Sequence, residues 1–224
     1  MKAYWFSNKG LAQHGTIIYE VRPEPYIQEG EITACHNGLH ASVDPYDALH
    51  YAAAGSPTLD LVELGGTIVE HHGDKVAASK RTHLKRIDAT STLREYARWC
   101  VLQVVSDWDC PELVKRYLET GDETIRAESR EIAYEAMLNT RTESGYQASL
   151  AAVHASTGYT PSSVVRECRS AARAAREAFA ERGFRTNTGI EARYDEAKSI
   201  QRAKFNEMIE AAFNQVDLIA PPIA

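Results

Sequence analysis

Histidine is the side chain whose ordinary titration range lies nearest neutral pH, and seven of the eight in this sequence precede residue 84: His14, His36, His40, His50, His71, His72 and His83. Cys35, His36 and His40, with His71 or His72, supply the donor types of a four-coordinate zinc site. Their spacing is not that of a zinc finger or a zincin. His36 and His40 also flank the turn signal Asn37-Gly38, which points them apart. The pattern favours histidines scattered over a surface, and no metal site is expected.

The run Cys35-His36-Asn37-Gly38-Leu39-His40-Ala41-Ser42 carries a sharper expectation. On a strand, His40 and Ser42 share one face while Leu39 and Ala41 share the other. Asp44-Pro45 then opens a helix, with Asp44 as N-cap and Pro45 at the first helical position. Ala48 and Tyr51 turn back toward the sheet, so an imidazole, a hydroxyl and a phenol gather at one strand-to-helix corner. Free backbone N–H groups at such a helix start suit a ligand. The competing expectation is that His40 and Tyr51 are half-buried packing residues.

Two further groups could carry chemistry. In Leu59-Asp60-Leu61-Val62-Glu63-Leu64, alternation sets Glu63 on the face of Leu59 and Leu61. A buried carboxyl there would titrate high and serve as acid or base, whereas a strand ending at Val62 would leave it in water. Arg166, Arg169, Arg173 and Arg176, spaced 3, 4, 3, form a stripe suited to phosphates or an acidic partner surface. The plainer reading is a solvated face with partners such as Glu177. Lys80-Arg81 and Lys85-Arg86 alternate across one strand and form no patch.

These residues need a scaffold, and the first ninety residues read as short strands broken by turns. Strands are expected over 3–6, 16–21, 31–34, 39–43, 58–64, 67–70 and 75–87, with one helix running to about Ala54. Gly65-Gly66 and His72-Gly73-Asp74 read as turns between strands. From Thr92 the period becomes helical. Thr92 and Glu95 have capping-box spacing, and Leu93, Tyr96, Cys100, Val104 and Trp108 fall on one stripe. Further helices are expected after Pro111, over 123–139, over 145–156, after Pro161 and over 190–214. The last two carry seams of small residues: Val165, Cys168, Ala172, Ala175 and Phe179 on one, and Tyr194, Ala197, Gln201, Phe205, Met208 and Ala212 on the other. Such seams suit a long helical hairpin, or pairing with a partner chain or second copy. The expected fold is α+β: a strand-rich domain with one helix over 1–90, then an all-helical region over 91–224.

A net charge of -6 argues against a dedicated nucleic-acid binder. The deficit is shared: 8 Lys+Arg against 11 Asp+Glu up to Thr90, and 17 against 20 from Ser91. No apolar run approaches the roughly 18 residues of a membrane span, and no signal-peptide pattern is present. The four cysteines have no paired spacing, so reduced thiols in a cytoplasmic setting are expected, with Cys100 and Cys168 as packing residues.

Cys35 to Ser42, Pro45 to Tyr51, Val62 to Gly66 and Asp74 to Ser79 together resemble a family of uncharacterised phage and prophage proteins. Its pattern is Cys-x-x-Gly-Leu/Phe-His-Ala, Pro-x-Asp-Ala-Leu-x-Tyr, Val-Glu-x-x-Gly and Asp-Lys-Val-Ala-x-Ser. The resemblance implies a phage accessory protein in a bacterial host cell, acting by binding a protein or small ligand, with inhibition of host defence as one role. A virion-associated structural protein is a further alternative. His14-Gly15-Thr16, Gly38 to Ser42, Ala48 to Tyr51 and Leu61 to Leu64 are also similar to the core of ADP-ribosyltransferase-like folds. That likeness implies NAD as cofactor, with His14, His40, Tyr51 and Glu63 as the catalytic set.

Overall fold

In a computed structural model of the chain, residues 1–7, 22–52, 56–157, 160–182 and 187–219 are described. They form two compact units: Met1–Thr90 with Asn206–Ala224, and Ser91–Phe205. The change of period near Ser91 coincides with one boundary. The expected division differs from these units in one respect, since the chain from Asn206 onward joins the first.

In the first unit, β1 (Lys2–Phe6), β2 (Tyr26–Ile27), β3 (Leu39–Ala41), β4 (Thr58–His71) and β5 (Lys75–Asp88) form one sheet, with α1 (Pro45–Tyr51) between β3 and β4. The order is β1-β4-β5-β2, and β3 also pairs with β5. Every pairing is antiparallel. Ala3, Ala41, Val62, Leu64, Val76 and Ala78 make a compact core with Trp5 packed on it. Asp44 caps α1 by accepting the N–H groups of Tyr46 and Asp47, and Pro45 sits in the first turn, as the sequence indicates.

The strand boundaries correct the reading in three places. Gly65-Gly66 does not reverse the chain: β4 runs unbroken through it, and the register steps from Gly65↔Lys80 to Ile68↔Ala78. This is a bulge. Gly66 has φ 70, and a Cβ there would lie 2.1 Å from Ser79 Oγ, the atom that accepts the Thr67 N–H at 2.9 Å. Residues 31–34 form no strand but enter a tight turn closed by the Thr33↔Asn37 bridge. The short strand lies instead at Tyr26–Ile27, where the nearby prolines hid it. The expected strand over 16–21 lies outside the described residues.

The first unit is completed by the chain's last segment. The Phe213 ring lies 5.9 Å from that of Tyr4, and Phe213 O accepts Lys85 Nζ at 2.8 Å. Ile219 N donates to Leu84 O at 2.8 Å. Asn206 Oδ1 accepts the Tyr46 N–H at 3.1 Å while its Nδ2 donates to Asp44 Oδ2 at 3.0 Å, so this side chain ties the start of α1.

The second unit is helical: α2 (Thr90–Leu102), a 3-10 turn (Val105–Asp107), α3 (Glu112–Thr120), α4 (Arg126–Asn139), α5 (Glu143–Thr157), α6 (Pro161–Glu181) and most of α7 (Asn187–Asn214). α2 begins two residues before Thr92, with the Asp88 carboxylate accepting the Thr90 N–H. Leu93, Tyr96, Cys100, Val104 and Trp108 are all buried, as their stripe predicts. α6 packs most closely on α5. Both carry runs of buried alanine, including Ala148, Ala151, Ala152, Ala171, Ala174 and Ala175, and small residues let backbones approach.

The seams expected on α6 and α7 are met only in part. The contacts between these helices run from Arg193 over the Phe179 ring to Arg176 with Tyr194 and Gln201, and to Gln201 Nε2 donating to Ala172 O. Along α7 the buried positions are Ala197, Gln201, Phe205, Ile209 and Phe213, so Met208 and Ala212 give way to their neighbours. A constant step of four drifts from a 3.5-residue seam. Among the described residues, no helix is long and apolar enough to cross a membrane.

Candidate functional site

The corner expected around His40 is built by the turn that precedes β3. Thr33 and Asn37 exchange backbone hydrogen bonds at 2.8 and 2.9 Å, and Cys35 sits inside the turn with φ 68, a left-handed conformation uncommon for a side chain of this type. Gly38 has φ 148, and a Cβ there would lie 2.9 Å from Ala77 Cβ. Glycine is what lets β3 close on β5. Gly38→Ala is therefore expected to cost about 1–3 kcal/mol of stability, read as a lower urea midpoint with unchanged slope. A midpoint equal to wild type would refute this.

Leu39 then enters the core, and His40 is also buried at 5 % exposure. His40 Nε2 accepts the Cys35 N–H at 3.1 Å, which places the ring proton on Nδ1. The imidazole thus fixes the turn that carries the cysteine.

Lys75, the first residue of β5, is 8 % exposed. Its Nζ lies 3.0 Å from Cys35 Sγ and 4.6 Å from the centroid of the Tyr51 ring. Tyr51 OH donates to Asp74 Oδ2 at 2.8 Å. Desolvation, then the hydrogen bond to Asp74, pushes the Tyr51 phenol up to about 12. With the residue 40 % exposed, the carboxylate is the firmer of the two causes. Tyr51 is held as a neutral donor and is not placed to act as a base near pH 7. A thiol, an ammonium, a phenol and a carboxylate thus follow one another along one corner.

Behind the corner runs a buried polar network. Arg81, 1 % exposed, donates from Nη1 to His40 O at 3.1 Å and stacks 3.9 Å above the Trp5 ring, a cation–π contact. The His83 ring meets Trp5 and Tyr26 edge-on at 5.8 and 5.9 Å. Its Nδ1 lies 3.6 Å from Asp60 Oδ2, near enough for Coulomb attraction but long for a hydrogen bond. Asp60 is fully buried and takes a two-pronged contact from Arg86, Nε at 2.6 Å and Nη2 at 2.8 Å. Burial alone would raise the Asp60 carboxyl; Arg86, followed by His83, outweighs it and holds the group below its ordinary value.

The other expected residues are distributed differently. His14 lies outside the described residues. Ser42 is buried at 2 %, and its backbone exchanges hydrogen bonds with Tyr4. Glu63 keeps the alternation expected for β4 but is exposed, paired in register with Lys2, which is not the surroundings of a tuned acid. Arg166, Arg169 and Arg173 are exposed on α6. Arg166 and Arg173 donate to Glu167 and Glu177. Arg176 departs from the stripe: it is 8 % exposed, its Nη1 donates to Gln201 Oε1 at 2.6 Å, and it lies over Tyr194 at 5.3 Å. Its angle on α6 is only about 20° from that of the exposed Arg169; what buries it is the cover from Gln201 and Tyr194 of α7. Among the described residues, no group of three or more His, Cys, Asp and Glu side chains is arranged to hold a metal ion. His71 and His72 pack on each other, ring centroids 3.9 Å apart.

Sequence reasoning missed Asp60, Lys75, Arg81, His83 and Arg86 as members of a connected group. One signal was present, a carboxylate between Leu59 and Leu61 with basic residues alternating along the next strand.

Residues 1–95 match the model of a domain of unknown function, DUF7666. No curated protein and no solved structure matches the chain. The matched span contains every residue of the corner and of the network behind it, whereas Arg166 to Arg176 lie beyond it.

Proposed function

We propose that the protein acts by binding, and that Cys35, Tyr51, Asp74 and Lys75 form the surface its ligand meets. The observation that carries this reading is Tyr51. The residue is 40 % exposed, yet its hydroxyl is fixed by Asp74 and its ring face by Lys75. An exposed aromatic already held in place costs little further ordering on binding. The resemblance to phage proteins makes a host or phage macromolecule the natural partner class, with inhibition of a defence system as one outcome. The exposed Arg166, Arg169 and Arg173 on the helical unit supply a second surface suited to an acidic protein partner.

A panel of nucleotides, NAD and other small anions in a thermal-shift assay tests the corner. A ligand at a hundred times its Kd stabilises by about 2.7 kcal/mol. The expected result is a shift in the wild type that Tyr51→Ala abolishes while the unliganded Tm stays within a few degrees. A ligand shift that Tyr51→Ala leaves untouched would remove the corner from the reading.

A transferase-like use of NAD is the second reading. It draws support from His40 and Tyr51 being linked through Cys35 and Lys75 at one corner. It predicts NAD-dependent protection at millimolar concentration and slow release of nicotinamide, both lost in His40→Ala. An unchanged melting temperature with NAD, and no nicotinamide released, would end it.

A further inference from the structure

The geometry points to Cys35 and Lys75 as an oxidative modification site, in which peroxide joins the two side chains through a covalent S–N bond. This does not rest on the binding reading. The two reacting atoms are already 3.0 Å apart, within ordinary contact distance. Both are held from other directions: the Cys35 backbone by His40, and Lys75 by its place at the start of β5 and by the Tyr51 ring. The residues of the first unit include no second cysteine, so a disulfide within that unit is not open to an oxidised Cys35. Of the other three thiols, Cys100 and Cys168 are buried and Cys110 is half-buried. Burial pushes Cys100 and Cys110 up to about 12, and Cys168 well above its ordinary value.

The reaction balances in two steps. Cys35 sulfur attacks one oxygen of hydrogen peroxide; the S–O bond forms, the O–O bond breaks, and water leaves, giving a sulfenic acid. Sulfur is oxidised by two electrons and peroxide is reduced. Lys75, once its ammonium has given a proton to solvent, then attacks that sulfur as the free amine. The N–S bond forms, the S–O bond breaks, and the departing hydroxide takes a proton from nitrogen to leave as a second water. Condensation of a sulfenic acid with nitrogen is established chemistry for backbone amides, and here the nearer nucleophile is an amine. The product loses the ammonium that covers Tyr51 and clamps the turn at Cys35 to β5.

Peptide mapping of the full chain after titration with hydrogen peroxide tests this. The expected product is a linked pair of peptides carrying Cys35 and Lys75, lighter by two hydrogens, resistant to trypsin after Lys75 and restored by dithiothreitol. Lys75→Arg keeps a cation at the position and is expected to give no link, with Cys35 passing instead to the sulfinic acid. Trypsin decides between partners. Cleavage after Lys75 at the untreated rate, with Cys35 oxidised or closed onto its neighbouring backbone nitrogen, would overturn the assignment, and this reading of the wild type does not depend on how any variant folds.

Discussion

Replacing Asp60 with alanine is expected to lower the free energy of unfolding by about 3–5 kcal/mol at pH 7, the range for breaking one side of a buried ion pair. Asp60 is fully buried, and its loss strands Arg86, which is one-third exposed along its side chain, so the lower end of the range applies. It also removes the carboxylate that lies 3.6 Å from His83 Nδ1. The effect depends on pH in a set direction. The folded-state carboxyl lies below its ordinary value of 3.8, so the ionised group contributes stability that is fully present above that value. This contribution fades as pH falls through 3.8 and then through the folded value. Urea titrations should therefore show wild type and Asp60→Ala well separated at pH 7 and converging below about pH 4. Curves that stay equally far apart at low pH would show that packing, not charge, is what the substitution removes. A double-mutant cycle with Arg86→Ala isolates the pair, and additive losses would count against the coupling.

That network explains what was legible in the sequence and what was not. Local chemistry was readable: Asp44-Pro45 announces a capped helix, and Leu93 to Trp108 announces a buried stripe, and both are found. The corner was readable in part, because His40, Ser42 and Tyr51 are close in sequence and periodicity governs them. Lys75 was not. It reaches Cys35, forty residues earlier, only because β3 lies against β5, a pairing that no local pattern encodes. Asp60 and Arg86 illustrate the same limit. Alternation sets a carboxylate between apolar residues at Asp60 but does not say which base it meets, because that depends on the register of β4 on β5. Gly65-Gly66 shows a different limit, since the same pair serves a turn or a bulge and only the partner strand decides. For Arg176, spacing marks the end of an arginine stripe, but Gln201 and Tyr194 of α7 cover it, and no pattern along α6 encodes that contact.

Phe213→Ala is expected to cost about 3–5 kcal/mol, as for other large aromatic truncations in a core, although the residue lies eleven positions before the C-terminus of the sequence. Phe213 is 4 % exposed and sits against Tyr4, a β1 residue whose phenol is pushed up by burial, then by Glu210 and Asp44. Nearby backbone contacts to Lys85 and Leu84 hold the same segment on β5. Residues 206–219 therefore act as a last element of the first unit, not as a tail. It follows that a chain truncated after Thr90, which retains the whole sheet and nearly all of the matched span, should be markedly less stable than the same unit with that segment present. Denaturant unfolding of the two, supplying 206–219 as a separate peptide to the truncated form, reads the difference directly. Recovery of stability with added peptide is the expected result, weaker for a peptide carrying Phe213→Ala. A truncated form as stable as the full chain would mean that the sheet closes its own core and that the contacts at Tyr4 are incidental. If the segment is required, the corner at Cys35 and Lys75 becomes sensitive to what happens in α7. Asn206 holds Asp44, Asp44 caps the helix that ends at Tyr51, and Tyr51 is the residue a ligand would meet.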